Sequence, residues 1–200
     1  IGKVIAIRKD LPSLLKAYAA AGSDARMNGC ELPVVINSGS GNQGLTVSVP
    51  LIIYAEREHL DKEKLYRALV ISNLTAIHLK TEIGRLSAFC GAVSAGAACG
   101  AGLAYLKDAS EEVMNHTIVN ALAITSGIIC DGAKASCAAK IAVSVEAGIL
   151  GYDMYMNGQQ FYGGDGIISK GIENTIHNIG VLGSQGMAST DQEIIKIMCE

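Results

Sequence analysis

Residues 86–106 read LSAFCGAVSAGAACGAGLAYL, twenty-one consecutive positions without a charge. That is long enough to meet the ~20 residues a helix needs to cross a bilayer. Eleven of the twenty-one are Gly or Ala, and only Leu86, Phe89, Val93, Leu103 and Leu106 are large and non-polar. Side chains this small bring little transfer free energy, but they let helix backbones approach closely. The stretch therefore reads as close small-residue packing inside a water-soluble helical core, its Gly-rich part, 91–102, as closely packed turns, with no membrane partner.

The rest of the chain agrees with that reading. Two hundred residues can bury one sizeable core, and with half of them hydrophobic and 18% charged the chain is expected to fold. A formal net charge of −3, scattered Lys and Arg, and few aromatics argue against nucleic acid as a partner. The chain starts at Ile1 without a methionine or an apolar leader, so it is read as a piece of a longer cytoplasmic protein. Six cysteines, Cys30, Cys90, Cys99, Cys130, Cys137 and Cys199, are then reduced thiols, either buried in the core or ligands to a metal.

Helical signals dominate. Asp10 caps LPSLLKAYAAAG, with Pro12 in the first turn and Gly22 as a stop. Residues 60–82 have apolar positions at three- and four-residue steps and predict one long helix. Asp108 and Ser110 offer caps to a helix beginning EEVMNH, and a further helix is expected from near Ala133 to Gly148. GDGIISKGIENTIHNIG predicts another, and STDQEIIKIM carries two overlapping capping boxes. Only VIAI, 4–7, and PVVIN, 33–37, read as strands. The fold class is mainly α: a compact multi-helix domain with small-residue helix packing and at most one or two short strands. Residues 1–28 are expected to form an interface or linker-like segment with one helix, and 29–200 the helical domain proper.

Two stretches could carry chemistry. NSGSGNQGL, 37–45, is a glycine-rich turn feeding a helix, a geometry that aims backbone N–H groups at a carboxylate or phosphate. It matches neither the Walker nor the Rossmann spacing, and a plain capped turn is the alternative. The second is GIICDGAKASC, 127–137, which sets Cys130 and Cys137 seven residues apart, with Cys90 forty residues earlier in FCGAVSAG. No paired C-x-x-C knuckle is present, so spacing alone leaves core packing, zinc and another metal group open.

Four motifs in order, SGSGNQG, LKTEIGRLSAFCGAVSAGAACG, GIICDGAKASC and YDMYMNGQQFYGGDGI, closely resemble the C-terminal half of the UPF0597 group. That group includes the L-cysteine desulfidases and is related to the α-domain of bacterial iron–sulfur L-serine dehydratases. The resemblance implies a 4Fe–4S cluster held by Cys90, Cys130 and Cys137, with Cys99 a core residue. It implies a lyase that eliminates the β-thiol or β-hydroxyl of a small amino acid, giving pyruvate and ammonia plus sulfide or water. Ser38, Ser40 and Asn42 would then anchor the substrate carboxylate, and His78, Lys80 and Asp153 are further candidates for the substrate site. His78 and Lys80 could equally be ordinary helix-surface groups.

The likeness also has gaps. The family's proton-abstracting cysteine lies in a Gly-Cys-Thr-Glu-Pro motif near the N-terminus of a longer chain, and no such motif occurs here. MNGCELP, 27–33, is only an echo, so the base is expected in a missing N-terminal half, the chain's implied partner beside the amino-acid substrate and any homo-oligomer copy. Cys199 takes no role from the resemblance, its one parallel being a cysteine at the end of some serine dehydratases. The competing expectation is a non-catalytic helical assembly or regulatory domain whose cysteines only pack.

Overall fold

The computed structural model describes all residues, Ile1–Glu200, as an all-helical body. The helices are α1 (Gly2–Ile5), α2 (Leu11–Met27), α3 (Gly41–Arg57), α4 (Lys62–Ile83), α5 (Gly91–Leu106), α6 (Glu111–Thr125), α7 (Cys137–Met156), α8 (Ile172–Val181) and α9 (Ala188–Cys199). Helix α5 is the axis, with α3, α4, α6 and α7 packed around it. Phe89, Val93, Leu103 and Leu106 of the uncharged stretch are buried, whereas Leu86, ahead of the helix, is exposed. No helix is long and apolar enough to cross a membrane.

The small residues of α5 are what allow this centre. A Cβ on Gly100 would stand 2.8 Å from the Gly148 Cα, and one on Gly148 would stand 2.6 Å from the Gly96 carbonyl oxygen. Helices α5 and α7 thus meet backbone to backbone, and any side chain at the crossing would force them apart. Around this seam Leu51, Leu79, Ile83, Leu122, Ile141 and Ile179 close the core.

Several local readings hold. Asp10 accepts from the Ser13 N–H at 2.8 Å, the long helix read over 60–82 is α4, and Ser110 caps α6. Asp108 instead takes a left-handed turn and pairs with Lys64 at 2.7 Å. Others need correction. Residues 91–102 are not packed turns but the body of α5, because the glycines sit where other helices press on its backbone. Gly22 does not stop α2, because it lies inside the helix where a Cβ would touch Leu45 at 3.1 Å, and the helix runs on to Met27. Helix α7 starts four residues later than expected and runs on to Met156. Residues 163–171 are loop rather than helix, since Gly164, Gly166 and Gly171 all adopt positive φ. The capping boxes of α9 are not formed, and the helix begins ahead of them.

Neither expected strand exists. Residues 4–7 are helical, and 33–37 have no partner strand to complete a ladder. Single antiparallel bridges, Asn37 with Ser40 and Phe89 with Ile129, are all that remains of β pairing. Residues 1–28 contribute Leu15 and Ala19 to the common core.

Candidate functional site

The Phe89–Ile129 bridge joins two loops at one end of the bundle. Its hydrogen bonds run from Cys90 N–H to the Ile128 carbonyl, 3.1 Å, and from Cys130 N–H to the Ala88 carbonyl, 2.6 Å. The loop before α5 is itself fixed, since Ser87 Oγ accepts from Phe89 N–H at 2.9 Å and donates to the Gly183 carbonyl. Cys90 and Cys130 are therefore carried side by side. Cys90 is the N-cap of α5, and Cys137 is the first residue of α7. The Cys137 sulfur accepts from Lys134 N–H at 3.4 Å and lies 3.6 Å from the Gly132 carbonyl oxygen. All three thiols are free.

The electrostatics separate the pair. A hydrogen bond to Cys130, together with burial, pushes the Cys90 thiol up. Cys130 is held below the ordinary thiol range, first by that hydrogen bond and then by the Gly132 N–H and the charges of Lys140 and Lys80. The first proton lost from this corner leaves Cys130. Burial is the largest influence on Lys140 and would lower it, but the hydrogen bond and charge of Asp131, with the charges of Cys90 and Cys137, together raise it and keep it charged. Lys140 also feels Cys90 and Cys137, so one ammonium serves all three sulfurs. Lys80 is 5% exposed, and burial lowers its pKa against the pull of Cys130 and Cys90.

Lys80 has a second neighbourhood. It lines a cavity of about 580 Å³ with Ser38, Gly39, Ile77, Thr81, Gly84 and Arg85. Ser38 reaches this wall because it adopts a left-handed φ of 49° beside Gly39 at 85°, a turn held by buried Asn37. Asn37 Nδ2 donates to the Asn73 carbonyl at 3.2 Å and to its Oδ1 at 3.0 Å, and Ser38 Oγ donates to Asn37 Oδ1. Ser40 is the N-cap of α3 and accepts from Gln43 N–H at 3.4 Å. Asn42 is turned to Arg26, whose guanidinium donates to it at 2.6 Å.

Gln43 lies within the SGSGNQG motif, where nothing in the sequence singles it out. It is buried, its Oε1 has no hydrogen-bond partner, and its amide would collide with any Cβ on Gly91. Thus the N-terminus of α3 abuts that of α5 one residue past Cys90, with a spare acceptor at the join. Arg85, Arg26 and Lys140 likewise escape a reading of the sequence. Lone basic residues carry no signal until the fold supplies their neighbours.

Other candidates lie apart. His78 is on another side of α4, 2.8 Å from Glu173 of α8. Asp153 is sixteen residues along α7 from Cys137, which puts it about 24 Å away at 1.5 Å per residue. There its charge acts on Lys107. Cys99 is wholly buried in the core, and Cys30 is exposed after α2. Cys199 is exposed at the end of α9, whose Met198 comes within 3.9 Å of a Cβ position on Gly132. The last turn of α9 therefore lies beside the cysteine loop. The YDMYMNGQQFYGGDGI segment helps to line a larger cavity, about 650 Å³, with Glu111, His116 and Lys170, and none of the cysteines is part of it.

No three His, Cys, Asp or Glu side chains converge closely enough to hold a single metal ion. A sulfide-bridged cluster makes a different demand, one thiolate on each of several irons. The donors here suit it: sulfur ligands from two loops, N–H groups directed at Cys130 and Cys137, and two ammonium groups to offset charge. The adjacent carboxylate, Asp131, is already engaged by Lys140.

Comparison with known proteins gives the family. The serine dehydratase alpha chain family matches residues 2–196. A UPF0597 protein of Desulfitobacterium hafniense is 67% identical over 189 residues, 94% of this chain and 44% of the relative. UPF0597 proteins of Lachnoclostridium phytofermentans, 57% identical over 94% of the chain, and Finegoldia magna, 53% over its full length, are covered to 45% and 48%. The chain thus spans a little under half the length of these relatives. No solved structure matches it. With residues 2–196 matched and the relatives this similar, the chain belongs to the serine dehydratase alpha chain family.

Proposed function

We propose that this chain is the cluster- and carboxylate-binding part of an iron–sulfur β-elimination lyase acting on L-cysteine or L-serine. Lys80 carries the reading, because it lines the cavity and its charge acts on the thiol pair. Its ammonium is shared between the Cys90–Cys130 corner and the cavity lined by Ser38 and Arg85. A small amino acid bound in that cavity would have its carboxylate among Ser38, Lys80 and Arg85, with the Lys80 ammonium also acting on the thiol pair.

Cys90, Cys130 and Cys137 would hold a 4Fe–4S cluster. When bound, the cluster supplies an iron with an open coordination position, a Lewis acid toward the β-thiol or β-hydroxyl leaving group. The residues of this chain do the positioning. Lys80, Arg85 and the Ser38 hydroxyl bind the carboxylate, and Ser40 fixes the start of α3, whose first-turn N–H groups favour an anion. Asn42 keeps Arg26 in place against Gly41. Lys140 would offset the negative charge of the cluster's thiolates. The α-proton goes to a base contributed by the remaining half of the longer protein, and the C–S or C–O electron pair leaves with the β-substituent. The resulting aminoacrylate tautomerises and hydrolyses to pyruvate and ammonia.

The test is iron and sulfide analysis of oxygen-free protein extended to the relatives' length, with pyruvate assayed from both amino acids. Iron, sulfide and pyruvate are expected, with Lys80→Met losing pyruvate while keeping iron. Absence of iron, or iron unchanged by Cys130→Ala, overturns the reading in favour of a non-catalytic helical domain.

A further inference from the structure

Helix α4 is apolar on two sides. One side, Ala68, Ser72, Ala76, Leu79 and Ile83, is buried in the bundle. The other carries Tyr66, Val70, Leu74 and Ile77, again at steps of four, four and three, and these are 56%, 56%, 60% and 45% exposed. A helix that needed only one buried face would carry polar groups on the second. The uncovered stripe does not end at the helix. Asn37 ties the segment before α3 to Asn73 in the middle of α4, and that segment adds exposed Leu32, Val35 and Ile36. A contiguous apolar surface of this kind marks a place where protein is missing.

We infer that the face formed by the second side of α4 and residues 32–36 is the docking surface for the remaining half of the full-length polypeptide. Two observations select that occupant over a second copy of this chain. More than half of each relative's length lies outside the matched part, so a covering domain of about this size is encoded next to it. The stripe also runs into the cavity rim at Ile77, beside Ser38 and Lys80. A segment seated there roofs the cavity and is placed to bring in the base this chain lacks. Only that last consequence rests on the lyase reading, and the docking itself does not.

Hydroxyl-radical footprinting tests the docking without reference to activity. In the polypeptide extended to the relatives' length, Tyr66 and Leu74 are expected to be as protected as buried Leu79 and Phe89. In the 200-residue chain they are expected to label several-fold faster than those two. A double substitution, Val70→Asp with Leu74→Asp, should leave the melting curve of the 200-residue chain in place and restore labelling of Tyr66 in the longer one. Fast labelling of Tyr66 and Leu74 in the longer polypeptide overturns the proposal. So does a dimer of the 200-residue chain, seen by light scattering, that protects the stripe and is broken by the double substitution.

Discussion

The backbone N–H of Cys130 donates to the Ala88 carbonyl at 2.6 Å, and with the reciprocal Cys90–Ile128 bond it clamps two thiols of distant sequence into one corner. The proton between them is unequally held: Cys90 stays protonated and Cys130 ionises below the usual thiol range. In cluster-free protein, alkylation of Cys130 is expected to rise with pH at values below those of a free thiol near 8.5. Because the Cys90 hydrogen bond is the largest cause, Cys90→Ala should move that profile to higher pH. Mass-spectrometric alkylation rates at Cys130 check this, and an unmoved profile would show that the Gly132 N–H and the lysines set its ionisation without Cys90.

Cluster loading should separate ligand from core cysteine. Cys137→Ala is expected to lose most bound iron, since it removes a sulfur already directed by the Lys134 N–H. Cys99→Ala should retain iron, because Cys99 is wholly buried in the hydrophobic core. Its cost is one of stability, about 1–2 kcal/mol for the lost buried volume. Iron per chain and thermal melts, measured on the same samples, distinguish the two.

Much of the fold is legible in the sequence because helices write their signals locally. The caps at Asp10 and Ser110 and the three- and four-residue apolar steps of α4 need no tertiary information. The misreadings fall where a glycine or a β-branched run has two uses. Gly22 could stop a helix or admit Leu45, and only the position of α3 decides between them. PVVIN has strand composition but no partner, and its Val35 and Ile36 face outward. Within the site, spacing suggests a cysteine set and an anion turn as separate features. It cannot show that Lys80 joins them or that Asp153 lies at the far end of α7, because both depend on how the helices stack.

The α5–α7 seam predicts a steep size limit. In Gly148→Ala the new methyl would stand 2.6 Å from the Gly96 carbonyl oxygen and 3.1 Å from the Gly100 Cα, both backbone atoms that cannot swing aside. Overpacking of this kind costs about 1–3 kcal/mol, and Gly148→Val should cost more. Because the helices must separate, iron loading should fall together with the melting temperature. Exposed Gly127, where a Cβ meets nothing within 4 Å, is the control: Gly127→Ala should leave both unchanged.

Asn37 offers a test of the anion turn separate from the cysteines. It is buried, and its Nδ2 supplies both hydrogen bonds to Asn73 while its Oδ1 receives the Ser38 hydroxyl. Asn37→Ala strips these partners and leaves the Asn73 carbonyl short of a donor, a loss of about 1–3 kcal/mol for unsatisfied polar groups. Asn37→Asp keeps the acceptor for Ser38 but cannot donate to Asn73, and it buries a charge. Both are expected to loosen the left-handed conformation of Ser38, leaving the turn held by the backbone hydrogen bonds between Asn37 and Ser40 alone. In the extended protein this should raise KM for the amino acid more than it lowers kcat, since the turn binds the carboxylate and the thiols stay in place. Iron content should remain that of the parent. A fall in kcat at constant KM would instead place the turn in the elimination step itself.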